Sequence, residues 1–143
     1  MLTAEAQRQA AQERDKQIRE ERRAIYVEYL SAYRKMYSRA HALAAQGGCI
    51  DDSEANTARG ALWRLFERVA TEEVLDFSRS YYTVTISGSK KTREAADKAT
   101  STLWDLVSTC VGGNQVAIEE ADNKTQERRR RLREEMRADL GID

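Results

Sequence analysis

Residues 3–48 read TAEAQRQAAQERDKQIREERRAIYVEYLSAYRKMYSRAHALAAQGG, a run without internal glycine or proline that closes on Gly47 and Gly48. Ile18, Ile25, Tyr29, Ala32, Met36 and Leu43 recur in it at helical spacing, with Tyr26, Leu30, Tyr33, Tyr37 and Ala44 on an adjoining stripe. The stretch predicts one long helix over residues 3–46. The glycine pair ends it, because glycine accepts the left-handed conformation found just past helix C-termini.

The rest of the chain follows from that start. Average usage would place roughly seven prolines in a chain of this length, and the 143 residues hold none. A helix interior rejects proline by about 3 kcal/mol, so the absence points to a mostly helical protein. Asp51 and Glu54 have capping-box spacing and open a second helix over 52–75, with Ala55, Ala58, Leu62, Leu65, Phe66, Val69 and Ala70 as its apolar face. Over 76–89, Tyr82, Val84 and Ile86 alternate with Thr83, Thr85 and Ser87. That is strand-like periodicity without a partner strand, so the expectation is an extended link laying Tyr82, Val84 and Ile86 against one end of a helical core. A third helix runs from a Ser89 N-cap to Val111 through Ala96, Ala99, Leu103, Leu106, Val107 and Cys110. Gly112-Gly113 breaks it. A fourth, over 114–140, carries Val116, Ile118, Ala121, Leu132, Met136 and Leu140 and closes at Gly141.

These elements predict an all-α, antiparallel up-down four-helix bundle in a single domain over residues 1–143. The second helix is too short to cover the whole first one, since each residue adds about 1.5 Å. Residues 1–22 are therefore expected as a charged helical arm and 23–141 as the bundle. The arginine-rich end of the last helix should return to the root of that arm.

Composition excludes several functions. No apolar run approaches the length of a membrane span, and residues 1–21 lack the apolar region and cleavage site of a secretory signal. The expected location is a reducing cytoplasm. Cys49 and Cys110 form no C-x-x-C pair; the predicted topology puts them at one end of the bundle, where a disulfide is open to them only in oxidising conditions. His41 is the single histidine, so a di-iron centre with Glu-x-x-His on two helices cannot be built, and its context suggests no nucleophile or base. The glycine pairs lack the Lys-Ser/Thr of a phosphate-binding loop. Glu119, Glu120 and Asp122 read as a solvated face. No enzyme, cofactor, metal or small-molecule substrate is expected.

Two charged segments remain. Arg128, Arg129, Arg130 and Arg131, with Arg133 and Arg137, are the most visible feature. Consecutive helical residues differ by about 100° in direction, so four adjacent arginines spread around the axis. Glu127 to Arg131, Arg130 to Glu134, Arg131 to Glu135 and Glu134 to Arg137 are available as local pairs. Residues 112–143 hold seven basic and eight acidic groups, which fits an internally paired helix better than a nucleic-acid reader. Along the arm, Ala4, Ala11, Ile18, Ile25 and Ala32 form a heptad seam whose companions Arg8, Asp15 and Arg22 are charged, a weak coiled-coil signal. Tyr26, Tyr29, Tyr33 and Tyr37 share one broad side of the first helix and read as core or core edge.

The assembled motifs resemble a group of small uncharacterised helical-bundle proteins of actinobacteria and their phages. Arg22-x-x-x-Tyr26-x-x-Tyr29-Leu30-x-Ala32 is similar to the pattern of their first helix, which has Phe where this chain has Tyr29. Val84-Thr-Ile86-Ser-Gly88, followed by Arg93-Glu94-Ala95-Ala96, is similar to their segment feeding an Ala-Ala helix, with Ser-Lys-Lys in place of a frequent Pro-Glu-Glu. Arg137-Ala-Asp139-Leu140-Gly141 is similar to their ending. The resemblance implies a four-helix fold and an actinobacterial or phage source, and no activity. The expected function is therefore a protein-interaction module, a homo-oligomer or a small adaptor or modulator binding a larger protein. It would act through Arg19, Arg22, Arg23 and Tyr26 and through the arginines from Arg128 to Arg137. The alternative is an anionic-polymer binder, for nucleic acid or a membrane surface, using the same arginine-rich end.

Overall fold

The structure is a computed structural model that describes residues 3–45, 60, 71–112 and 114–142. Among the described residues it is all helix: α1 (Ala4–Ala45), α2 (Thr71–Ser87), α3 (Lys90–Gly112) and α4 (Gln115–Leu140), with no strand. Gly47-Gly48, Cys49, the Asp51 and Glu54 cap and most of the expected second helix lie outside the described residues, as does Gly113.

α1 buries Tyr26, Tyr29, Tyr33, Met36, Ala40 and Leu43, an alternating three-and-four spacing that keeps one stripe on the core. Its start is capped by Thr3, whose hydroxyl accepts the Ala6 N–H at 3.1 Å. Ser89 caps α3 by accepting the Thr92 N–H at 3.3 Å, and Asn114 caps α4 by accepting the Ala117 N–H at 3.2 Å. Gly141, at φ 70°, ends α4 with two backbone bonds, Gly141 N–H to Ala138 and Ile142 N–H to Arg137. That pair of bonds is a Schellman motif, and the left-handed φ is what glycine supplies there.

The extended link expected over 76–89 is corrected. Residues up to Ser87 are helical, and only Gly88 and Ser89 separate α2 from α3. The alternating reading counted Tyr82, Val84 and Ile86 as one apolar face, yet the packed positions are Val74, Phe77 and Val84 at helical spacing. Tyr82 and Ile86 are 63% and 79% exposed. The β-branched and hydroxyl residues that suggested a strand are accommodated by bonding back along the helix. Ser80 donates to the Asp76 carbonyl at 2.9 Å, Thr83 to Arg79 at 2.9 Å and Thr85 to Tyr82 at 2.7 Å.

Side-chain contacts fix the helix directions. α1 and α2 run antiparallel, with Arg39 paired to Glu73 at one end and Arg22 to the Ser87 carbonyl at the other. α4 is antiparallel to α1, since Tyr37 meets Asp122 and Tyr26 meets Asp139. α4 is also antiparallel to α3, joined midway by Thr125 donating to the Thr102 carbonyl at 3.2 Å. The core between them is aromatic: Phe77 lies edge-on to Trp104 at 5.4 Å and stacks at 5.6 Å against Tyr29. Tyr29 and Tyr33 satisfy their buried hydroxyls on Thr100 at 2.6 Å and on the Ala99 carbonyl at 3.1 Å.

Candidate interaction surfaces

At about 1.5 Å per residue the 42 residues of α1 extend about 63 Å. The helix divides sharply by exposure. Every residue from 7 to 21 is exposed, Arg22 and Ile25 are half-buried, and Tyr26 opens the buried stripe. Arg19 lies on this open part, and Arg23, just past half-buried Arg22, is exposed as well. A side chain at Gly141 would meet Arg19 Nη1 at 3.7 Å, which places the end of α4 beside the root of the exposed turns.

Arg22 and Tyr26 are turned inward at that root. Arg22 donates from Nη1 to Asp139 Oδ1 at 3.1 Å and from Nε to the Ser87 carbonyl at 3.2 Å. Tyr26 donates to the other Asp139 oxygen and accepts the Ser89 N–H at 3.4 Å. Burial, then the Asp139 carboxylate, push the Tyr26 phenol above its usual range. Gly88 is buried under this cluster, and its position allows no side chain, since a Cβ would stand 2.7 Å from the Val84 carbonyl oxygen. Asp139, Arg22 and Tyr26 together thus tie α1, the α2–α3 turn and the end of α4. The stretches around Tyr26, Gly88 and Asp139 meet at this point.

The arginines of α4 spread in different directions. Arg129 lies over the Tyr37 ring, 5.3 Å from its centroid, a cation–π contact; its Nε is buried and finds no hydrogen-bond partner among the described residues. Arg130 pairs with Glu127 at 3.0 Å and with Glu134, and Arg131 with Glu127 at 3.1 Å. These pairs hold the Glu127 carboxyl below its usual range. Arg133 and Arg137 are exposed. Arg128 and Arg131 line a groove of about 160 Å³ between α3 and α4, whose other wall carries Lys91, Glu94 and Lys98, with Glu135 at its edge. Four cations thus face two carboxylates. The lysines escaped the sequence reading, although Lys91 and Lys98 repeat at heptad spacing on the helix packed against the arginines.

Asp122 is not part of a solvated face. It accepts from Tyr37 and from Gln126 Nε2 at 3.1 Å, and lies 3.1 Å from His41 Nε2. Its neighbours Glu119 and Glu120 are exposed. This cluster pairs the single histidine with a carboxylate but contains no nucleophile: Cys110, the nearby thiol, is fully buried and pushed up to about 11 by that burial and by Asp122. Among the described residues no three His, Cys, Asp or Glu side chains gather to hold a metal ion, and no helix is long and apolar enough to cross a membrane.

Comparison of the chain with protein-family models, curated proteins and solved structures gives no match.

Proposed function

We propose that the protein is a non-enzymatic interaction module, a homo-oligomer or a small adaptor that engages a protein partner through the N-terminal turns of α1. The observation that carries this reading is the continuous exposure of residues 7–21 in the same helix that is buried from Tyr26 onward. Fifteen or so residues of isolated helix are marginal in water, and tertiary packing normally stabilises such a segment. Local pairs such as Gln17 to Glu21 contribute only a few tenths of a kcal/mol. A contact along the seam Ala4, Ala11 and Ile18 provides the missing packing.

The test is solution mass by light scattering, combined with amide hydrogen exchange over residues 7–21 at rising protein concentration. Mass and protection that rise together, and that are lost when residues 1–20 are removed with the bundle's helicity intact, support the reading. An assembly indifferent to that removal overturns it.

The α3–α4 groove favours a second reading, in which Lys91, Lys98, Arg128 and Arg131 hold an anionic polymer. Phosphate contacts release counterions, so such binding weakens steeply from low to moderate salt. Affinity for a generic nucleic-acid duplex or an anionic vesicle that is negligible at low salt, or flat across that range, removes this alternative.

A further inference from the structure

We propose that the partner of the exposed turns is a second copy of this chain, its α1 lying antiparallel across the seam Ala4, Ala11 and Ile18 with a two-fold axis at Ala11. The proposal rests on the contact-helix reading above and adds the identity and orientation of the partner. Ile18 is the large apolar side chain left open on these turns, at 40% exposure. The line it shares with Ala4 and Ala11 continues into the bundle as Ile25 and Ala32, which pack on the core. The seam is thus an extension of a core-facing line that no described residue of this chain covers.

The charges flanking the seam choose the orientation. With each residue rotated by about 100° from the last, Arg8 and Asp15 lie about 40° to one side of the seam, and Glu5, Gln12 and Arg19 about 100° to that same side. Gln7 and Arg14 lie about 60° to the other side. A parallel pair sets identical residues level with one another, so Arg8 meets Arg8, Asp15 meets Asp15 and Arg22 meets Arg22, each repulsive. An antiparallel two-fold instead lays each flank of one helix against the same flank of the other, running in reverse. With the axis at Ala11, Ala4 stands level with Ile18 of the second copy, Arg8 within about 1.5 Å of level with Asp15, Gln7 likewise with Arg14, and Glu5 within about 3 Å of level with Arg19. Each unlike pair occurs twice. Arg8, Arg14 and Asp15 fall about 9–12 Å along the axis from their own counterparts, whereas Glu5 stands about 3 Å along the axis from both Arg19 and Asp15 of the second copy, so the Arg8–Asp15 pairs carry the preference for this orientation. Ala11 at the centre leaves only methyl groups between the two backbones.

The register also fits the length of the open helix. The helix of the second copy, starting at Ala4, ends level with Ile18 and Arg19, so the overlap occupies the exposed turns and stops before Arg22, where burial begins. It stops near Gly141, where a side chain would meet Arg19 Nη1 at 3.7 Å, and Ile142, next in sequence, is 45% exposed.

The experiment measures the dimer dissociation constant of the full chain by sedimentation equilibrium for the natural sequence, Arg8→Glu and Arg8→Glu with Asp15→Arg, with helicity checked by circular dichroism. Antiparallel pairing predicts roughly tenfold weakening for Arg8→Glu, since two attractive pairs become repulsive, and recovery in the double variant as the charges exchange places. Parallel pairing predicts no recovery, because each reversed residue still faces its own copy. A double variant as weak as the single one, or a natural chain that stays monomeric at every concentration, overturns the proposal. A dimer unmoved by Arg8→Glu but lost with residues 1–20 overturns this geometry and leaves the contact-helix reading standing. A dimer indifferent to both changes overturns that reading too.

Discussion

Replacing Asp139 by alanine tests the tie at the root of the exposed turns. The carboxylate is 12% exposed and Arg22 28%, so the ion pair is partly screened and contributes about 0.5–1 kcal/mol. The Tyr26 hydroxyl is the costlier loss. Tyr26 is 2% exposed, and a buried donor left without its acceptor costs about 1–3 kcal/mol. Together they predict that Asp139→Ala destabilises the fold by about 2–3 kcal/mol, a fall in Tm of roughly 5–10 °C for a chain of this size. Tyr26→Phe removes the donor as well and leaves Asp139 with Arg22, so it should cost only about 1 kcal/mol. In a double-mutant cycle read by urea unfolding, the two changes should be non-additive by about 1–1.5 kcal/mol. An Asp139→Ala loss below about 0.5 kcal/mol, or additive single losses, would refute the argument that this carboxylate holds Arg22 and Tyr26 in the tie between α1, α4 and the α2–α3 turn.

Gly88→Ala should cost about 1–3 kcal/mol in thermal unfolding, because its methyl would press at 2.7 Å on the Val84 carbonyl, a backbone atom with little freedom to retreat; an unchanged Tm means the turn relaxes freely. Burial raises the Tyr29 and Tyr33 phenols well above their ordinary value, so both stay neutral in the fold while unfolded tyrosine ionises near pH 10. Their contribution is complete below about pH 10 and is lost as pH rises above it, by about 1.4 kcal/mol per unit for each. Urea midpoints followed up to about pH 11 should fall by the equivalent of about 3 kcal/mol, less in Tyr29→Phe, and a flat profile would contradict the burial. The Cys110 thiol, buried and raised to about 11, should resist alkylation at about pH 8 until urea unfolds the chain; rapid native labelling, located by mass spectrometry, would show that it is accessible.

The sequence carried the helices wherever one periodicity dominated. α1 was legible because Tyr26, Tyr29, Tyr33 and Met36 repeat over many turns without a competing pattern, and Ser89 and Gly141 announced their caps. The segment around Val84 misled because six residues of alternation outweighed the longer line Val74, Phe77, Val84, whose first member was assigned to a different element. Hydroxyls bonding back to the helix leave no trace in a hydropathy pattern. The polar nodes were illegible for another reason. Asp122 meets His41 and Tyr37 across 81 and 85 residues, and Asp139 meets Tyr26 across 113. Such partners depend on helix rotation to within a fraction of a turn, which local spacing does not determine. The arginine run shows the same limit: its dispersal around the axis follows from the 100° step, but that Arg129 would cover Tyr37 while Arg128 lines a groove with Lys98 depends on packing.

The tie at Asp139 and the seam of α1 are mechanically linked. A helix projecting past its bundle presents a defined register only if its last packed turn is held against rotation, and a rotation of about 100° would exchange Ile18 for Arg19 on the contact face. Arg22 sits one turn from Ile18 and makes two contacts on different segments, to Asp139 and to the Ser87 carbonyl, while Tyr26 anchors the following turn. Two successive turns fixed on three elements set the azimuth of everything N-terminal to them. Arg22, which reads in the sequence as a candidate docking residue, instead bonds within the fold, and the proposed self-association is left to Ala4, Ala11 and Ile18 beyond it. Loosening the tie in Asp139→Ala should accordingly speed hydrogen exchange at residues 19–26 and weaken self-association, although no residue of the seam is altered. Faster exchange with unchanged association would mean that the exposed turns find their register without help from the bundle.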